Sequence, residues 1–85
     1  MYYVYILKSD KDGKLYKEFT IDLRRRINEH KSGKSTYTKN NGQWRLIYYE
    51  AFISKSDALR EEEFLKSGKG KDRIEYLLKD LKKVN

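Results

Sequence analysis

Tyr2-Tyr3-Val4-Tyr5-Ile6-Leu7, Ser9-Asp10-Lys11-Asp12-Gly13-Lys14 and Leu15-Tyr16-Lys17-Glu18-Phe19-Thr20 read, in that order, as strand, turn and returning strand. The first segment is a continuous aromatic, β-branched and aliphatic run, short enough for a strand buried on both faces. Asp12-Gly13 is the strongest hairpin signal within the turn. In the returning strand, alternation puts Leu15, Lys17 and Phe19 on one face and Tyr16 and Glu18 on the other.

Beyond the hairpin the spacing becomes helical. A helix is predicted from about Asp22 to Lys31, with Thr20 or Asp22 as its cap and Gly33 as its stop. Residues 32–43 are polar and contain Gly, and read as a loop. Trp44 to Ile53 is a third strand. Ser54 and Ser56-Asp57 offer caps for a helix from about Asp57 to Lys66, closed by Gly68. Ile74, Leu77, Leu78, Leu81 and Val84 recur at the spacing of a final amphipathic helix. The order is ββαβαα, an α+β arrangement, with one domain expected over residues 1–85.

The chain carries a formal charge of +7 and has a pI near 9.6. That balance favours a polyanionic partner: nucleic acid, an anionic membrane or an acidic protein. There is no Cys, which excludes disulfides and thiolate metal sites. No apolar run is long enough to span a membrane. The first residues lack the basic start and small-residue cleavage site of a signal peptide, so a cytoplasmic location is expected. Pro is absent, against an average use of about 5%, as an unusual or redesigned sequence would have it.

Three groups of residues break the plain pattern of core and surface. Glu62 stands among Ala58, Leu59 and Leu65 on the apolar side of its helix. A carboxylate there must be paired, hydrogen-bonded or bound to a metal, or else lie at the rim of the face. Arg26 and His30 lie one turn apart beside Leu23 and Ile27. Together they can grip a phosphate and orient a proton, or they can be an ordinary surface Arg and a satisfied His. Tyr5 and Tyr16 fall on neighbouring strands, where they are either core aromatics or phenols whose pKa of about 10 is lowered by nearby positive charge.

In order and spacing these residues resemble the GIY-YIG nuclease family over nearly the whole chain, most of all its small stand-alone bacterial members. Tyr3-Val4-Tyr5 falls where the Gly-Ile-Tyr motif belongs, and Leu15-Tyr16-Lys17-Glu18-Phe19-Thr20 where Tyr-Ile-Gly is followed by an aromatic and Thr. Asp22-Leu23 through Arg26 to Glu29-His30 is similar to the family's first helix. Trp44 to Glu50 looks like its third strand, and Ala58-Leu59-Arg60-Glu61-Glu62 with Lys66 like its Ala-x-x-x-Glu helix. The resemblance implies a small three-stranded antiparallel sheet flanked by helices. It also implies hydrolysis of DNA phosphodiesters with one divalent ion, Mg²⁺ or Mn²⁺. On this reading Glu62 is the metal ligand, and Tyr5 and Tyr16 position or deprotonate the attacking water. Arg26 stabilises charge on the phosphate, and His30 hydrogen-bonds within the tyrosine network.

Two positions depart from the motif. Residue 18 should be Gly and is Glu, and residue 17 should be apolar and is Lys. A Glu side chain fills space that Gly leaves open, and its charge repels a phosphate at short range. This reads as a weakened or inactive nuclease, as a second metal ligand beside Glu62, or as variation tolerated at a strand edge. Lys17, placed on the core face, is expected to snorkel outward from an edge strand. After Glu62 the only Asn is Asn85, so the Asn that many members use to support the metal site is missing.

Lys34, Tyr37, Thr38 and Lys39 in the loop, with Lys66, Lys69 and Lys71 around Gly68 and Gly70, are expected to contact DNA. The lysines would track the phosphate backbone and Tyr37 would stack on a base, without strong sequence specificity. Three functions are therefore open: a metal-dependent DNA endonuclease serving repair or recombination, a non-catalytic nucleic-acid-binding module, and a structural or redesigned scaffold. A monomer is the default.

Overall fold

The computed structural model describes residues 1–33 and 43–84. Its elements are β1 (Tyr2–Ser9), β2 (Leu15–Thr20), α1 (Leu23–Lys31), β3 (Trp44–Phe52), α2 (Lys55–Lys66), α3 (Gly70–Leu77) and α4 (Lys79–Val84). The three strands form one antiparallel sheet in the order β2-β1-β3. The hairpin turns where Asp12-Gly13 predicts it, and Gly13 takes φ +74°, a left-handed conformation that Gly adopts without steric cost.

β1 is the central strand, and Val4, Tyr5, Ile6 and Leu7 are at most 1% exposed. This is the two-sided burial its unbroken apolar run implies. Val4 and Ile6 face one way, into a core completed by Ala58 and Leu65 of α2, by Ile74 of α3 and by Leu78. Tyr5 faces the other way, toward α1, where it meets His30. The sheet thus separates an apolar core on one side from a polar cluster on the other.

The helix caps follow the sequence. Asp22 caps α1 by accepting from the Arg25 N–H at 3.1 Å, and Ser54 caps α2. In α2 the buried residues are Ala58 and Leu65, whereas Leu59 is exposed and Glu62 lies at the margin of the face. The expected apolar trio is therefore a pair. The C-terminal helical run breaks at Leu78 (φ −104°, ψ 11°) into α3 and α4. Leu78 still enters the core, and Leu81 packs against it.

Lys17 lies on the face that alternation assigns it. With Leu15, Leu65, Ile74 and Leu78 it lines an open cleft of about 640 Å³ between the β2 edge and the helices. The ammonium therefore escapes burial at the edge of the sheet.

Leu65, only 1% exposed, ties α2 to β1 and α3. Leu65→Ala is expected to lower unfolding free energy by about 3 kcal/mol in urea titrations, through lost burial and a residual cavity. Leu59→Ala, removing an exposed side chain, is expected to cost less than about 1 kcal/mol.

Candidate active site

The β1–β2 register pairs Tyr5 with Glu18 and Leu7 with Tyr16, so Tyr5, Tyr16 and Glu18 share the face covered by α1. From α1, Arg26 and His30 reach down to meet them. Four of the five residues expected to do chemistry converge here, and Glu18 stands at their centre.

Glu18 Oε1 accepts from the Tyr5 hydroxyl at 2.6 Å and from Arg26 Nε at 2.8 Å. Its Oε2 accepts from the Tyr16 hydroxyl at 2.5 Å, with Arg26 Nη2 more distant at 3.4 Å. Arg26 Nη1 turns the other way and donates to Glu29 Oε1 at 2.9 Å. Burial alone would raise the Glu18 pKa, but the hydrogen bonds from Arg26, Tyr16 and Tyr5 outweigh it and hold the carboxylate below its usual range. Glu18 is ionised at neutral pH.

The Tyr5 oxygen also lies 2.8 Å from His30 Nε2. A phenol has one proton, and that of Tyr5 is committed to the carboxylate, so His30 donates from Nε2. Burial, and then the Arg26 charge, press the His30 pKa down, so this imidazole is neutral at pH 7. Burial and the Glu18 carboxylate raise both phenols, Tyr16 to about 12 and Tyr5 further still. While Glu18 occupies this place neither tyrosine is a base. The two phenols differ in access: Tyr5 is 0% exposed, whereas Tyr16 is only partly buried, against His30 and Trp44.

From α2, Glu62 reaches the backbone of β2 one residue from Glu18. β2 is an edge strand, and the Phe19 N–H donates to Glu62 Oε2 at 2.9 Å, with Lys66 Nζ at 3.4 Å. The carboxylate is thus hydrogen-bonded and paired at the rim of its helix face, by a backbone N–H and a Lys. Glu62 Oε1 makes no hydrogen bond among the described residues, and the side chain is 19% exposed. No group of three or more His, Asp or Glu gathers into a metal cage among the described residues. A single half-free carboxylate fits a hard divalent ion that keeps most of its waters and takes further oxygens from a substrate phosphate. It does not fit an ion needing an all-protein cage.

Of the expected DNA contacts, Lys34, Tyr37, Thr38 and Lys39 lie outside the described residues. Lys66, Lys69 and Lys71 are exposed around the end of α2 and the start of α3. Lys66 and Lys71 join Lys8, Lys14 and Lys17 around the cleft beside β2. Those three come from separate positions on the hairpin, and their grouping was not legible from linear spacing. Glu29 was also missed as a partner for Arg26, although its i,i+3 position on α1 is a readable signal.

The sequence profile of the GIY-YIG catalytic domain matches residues 1–83. The chain belongs to the GIY-YIG family. Its relatives include a UPF0213 protein of Streptococcus agalactiae, 38% identical over 88% of this chain and 85% of the relative. Another, from Halalkalibacterium halodurans, is 48% identical over 72% of this chain and 65% of the relative. The solution NMR structure of a UPF0213 protein from Bacillus halodurans superposes with a TM-score of 0.57. It is 42% identical, over 91% of this chain and 85% of that one. The three-stranded sheet and its helices are thus the fold of small stand-alone bacterial GIY-YIG proteins, and the domain falls in a nuclease family.

A second acidic group lies on the other face of the sheet of this GIY-YIG domain, around Glu50. Burial, and then the neighbouring Glu61 carboxylate, push the Glu50 pKa up to about 7. Tyr48 stands beside it, and Arg73 on α3 donates to Glu61 at 3.2 Å. A carboxyl raised in the folded state stabilises the fold most at or below about pH 4.5, its unfolded value, and that contribution is lost as pH rises through 7. Glu50→Gln is expected to be the more stable chain at pH 8, by about 1–3 kcal/mol in urea titrations, and to flatten the slope between pH 5 and 7.

Proposed function

We propose that this domain is a divalent-metal-dependent DNA endonuclease that hydrolyses phosphodiesters at the cluster of Tyr5, Tyr16, Arg26, His30 and Glu62. The observation that carries this reading is the convergence of Tyr5, Tyr16 and Arg26 on one anion, the Glu18 carboxylate, with His30 bonded to the Tyr5 oxygen behind them. A carboxylate and a phosphate offer an Arg the same forked pair of oxygens, so a cradle that grips one suits the other.

The roles follow from access and charge. Glu62 would hold the ion through Oε1; a bound Mg²⁺ or Mn²⁺ would supply Lewis-acid neutralisation of charge at the phosphate. Arg26 contributes a second positive contact as negative charge builds on the non-bridging oxygens. Tyr16, partly exposed beside the Arg26 guanidinium, is the phenol that can reach a water, and only with Glu18 displaced and its own proton lost would it take the water's proton. Tyr5, sealed in the sheet, positions: His30 holds its oxygen, and its own proton points into the cradle. In the overall step a water oxygen forms a bond to phosphorus and the phosphorus–oxygen ester bond breaks, the released alkoxide taking up a proton.

Lys14, Lys17, Lys66 and Lys71 line one cleft and would form a track for the DNA backbone, with Lys66 also paired to Glu62. Lysines read no base edges, so affinity without strong sequence specificity is expected.

The test uses duplex, single-stranded and branched DNA with Mg²⁺, Mn²⁺ or EDTA. Cleavage is expected in either metal and none in EDTA, while DNA affinity survives EDTA and falls with salt. Affinity with no cleavage by any form of the chain would favour the non-catalytic binding module. Absence of salt-sensitive affinity would remove the nucleic-acid role altogether.

A further inference from the structure

We infer that Glu18 is a built-in occupant of the phosphate seat formed by Arg26, Tyr5 and Tyr16, and that a substrate phosphate enters by displacing it. The inference rests on the hydrolase reading above and adds the regulation of that site.

Glu18 is not simply near the cluster. Both carboxylate oxygens are taken, each by one tyrosine hydroxyl and one nitrogen of the same guanidinium. These contacts are the ones a tetrahedral anion would need, because a hydroxyl or an N–H donates alike to carboxylate and phosphate oxygens. The charge balance agrees. Arg26 faces Glu18 on one side and Glu29 on the other, so the three together carry one net negative charge and repel an incoming anion. Because Glu18 is tethered in place, its effective concentration at the seat far exceeds that of a free anion in dilute solution.

The occupant can also leave. The Glu18 and Arg26 side chains are 25% and 27% exposed, and β2 is the edge of the sheet, so side-chain rotation alone would carry the carboxylate into solvent. When Glu18 swings away, Glu29 still holds Arg26 Nη1, leaving Nε and Nη2 aimed into the vacated space. Glu29 is thus a positioning residue for the open state. The same departure leaves burial as the force raising the Tyr16 pKa, removes the added push of the carboxylate, and leaves that phenol facing the guanidinium. Filling the seat and silencing the base are two effects of one side chain.

The experiment titrates inorganic phosphate into the unmodified chain, Glu18→Ala, Glu18→Gln and Glu18→Ala/Arg26→Ala, all in EDTA, following the Arg26 Nε–H resonance by NMR. Glu18→Ala is expected to bind phosphate at least about ten-fold more tightly than the unmodified chain, the scale of one charge-assisted hydrogen bond. Glu18→Gln should fall between them, and the double variant should lose the gain. Amide dispersion checks folding. Should Glu18→Ala not fold, Glu18→Gln decides the matter, since it keeps the volume and removes the charge. Equal phosphate affinity in the unmodified and Glu18-substituted chains would overturn the proposal.

Cleavage assays on the same proteins separate the two readings. Phosphate gained without cleavage by any chain leaves the occupant in place and removes the hydrolase. Cleavage by the unmodified chain as fast as by Glu18→Ala overturns the occupant and keeps the hydrolase.

Discussion

In a Glu18→Gly background, Glu62→Ala is expected to reduce Mg²⁺-dependent cleavage by at least about 10³-fold while DNA affinity in EDTA changes by less than about two-fold. The size of the loss comes from the donor set. No cluster of three or more acidic or imidazole side chains could take over the ion among the described residues, so nothing there substitutes when the carboxylate goes. The small change in affinity has a different origin: backbone contact is spread over several lysines along the cleft, and Glu62, being negative, contributes nothing attractive to DNA. Glu62→Ala also frees the part-buried Phe19 N–H of the edge strand, and a stability loss of about 1 kcal/mol is expected. Single-turnover cleavage, filter binding and urea unfolding separate these effects. Undiminished cleavage by the Glu62→Ala chain would sink the metal assignment.

Arg26→Ala in the same background is expected to lower single-turnover cleavage by about 10²–10³-fold, the usual loss of a pre-aimed donor to transition-state charge. Lys at this position should recover little of it. An ammonium cannot present the forked pair that Nε and Nη2 offer, nor keep a third nitrogen on Glu29. In the otherwise unmodified chain the same substitution acts on stability. It leaves the Glu18 carboxylate, three-quarters covered, held only by two phenols. The fold should then be weaker at neutral pH than at pH 5, where protonation of Glu18 becomes easier.

Much of the fold was legible because local rules and tertiary demands agree. The unbroken run from Tyr2 to Leu7 needs burial on both faces and receives it as the central strand, and Asp12-Gly13, Asp22 and Ser54 turn or cap the chain where their chemistry suits. The gathering of Tyr5, Tyr16, Arg26 and His30 was expected from motif order. Glu18 was read differently. Its sequence position allowed the charge to be foreseen as a repulsive neighbour for phosphate, but not that both oxygens would be saturated by the cluster. That depends on the register pairing Tyr5 with Glu18, since a slip of one residue would turn the carboxylate to the other face. The lysine-rimmed cleft was hidden for a similar reason: Lys8, Lys14 and Lys17 meet Lys66 and Lys71 only once the hairpin has packed on α2 and α3. The break at Leu78 leaves no mark in the apolar spacing, which continues through it.

A hydrolytic site held back by its own carboxylate must cut faster once that carboxylate is removed. The most direct measurement is the single-turnover cleavage rate of one branched DNA by the Glu18→Gly chain beside the unmodified chain, in Mn²⁺ and in EDTA. Metal-dependent fragments are expected from both, formed at least about ten-fold faster once the Glu18 side chain is gone. No fragments from a folded Glu18→Gly chain in any metal would contradict that.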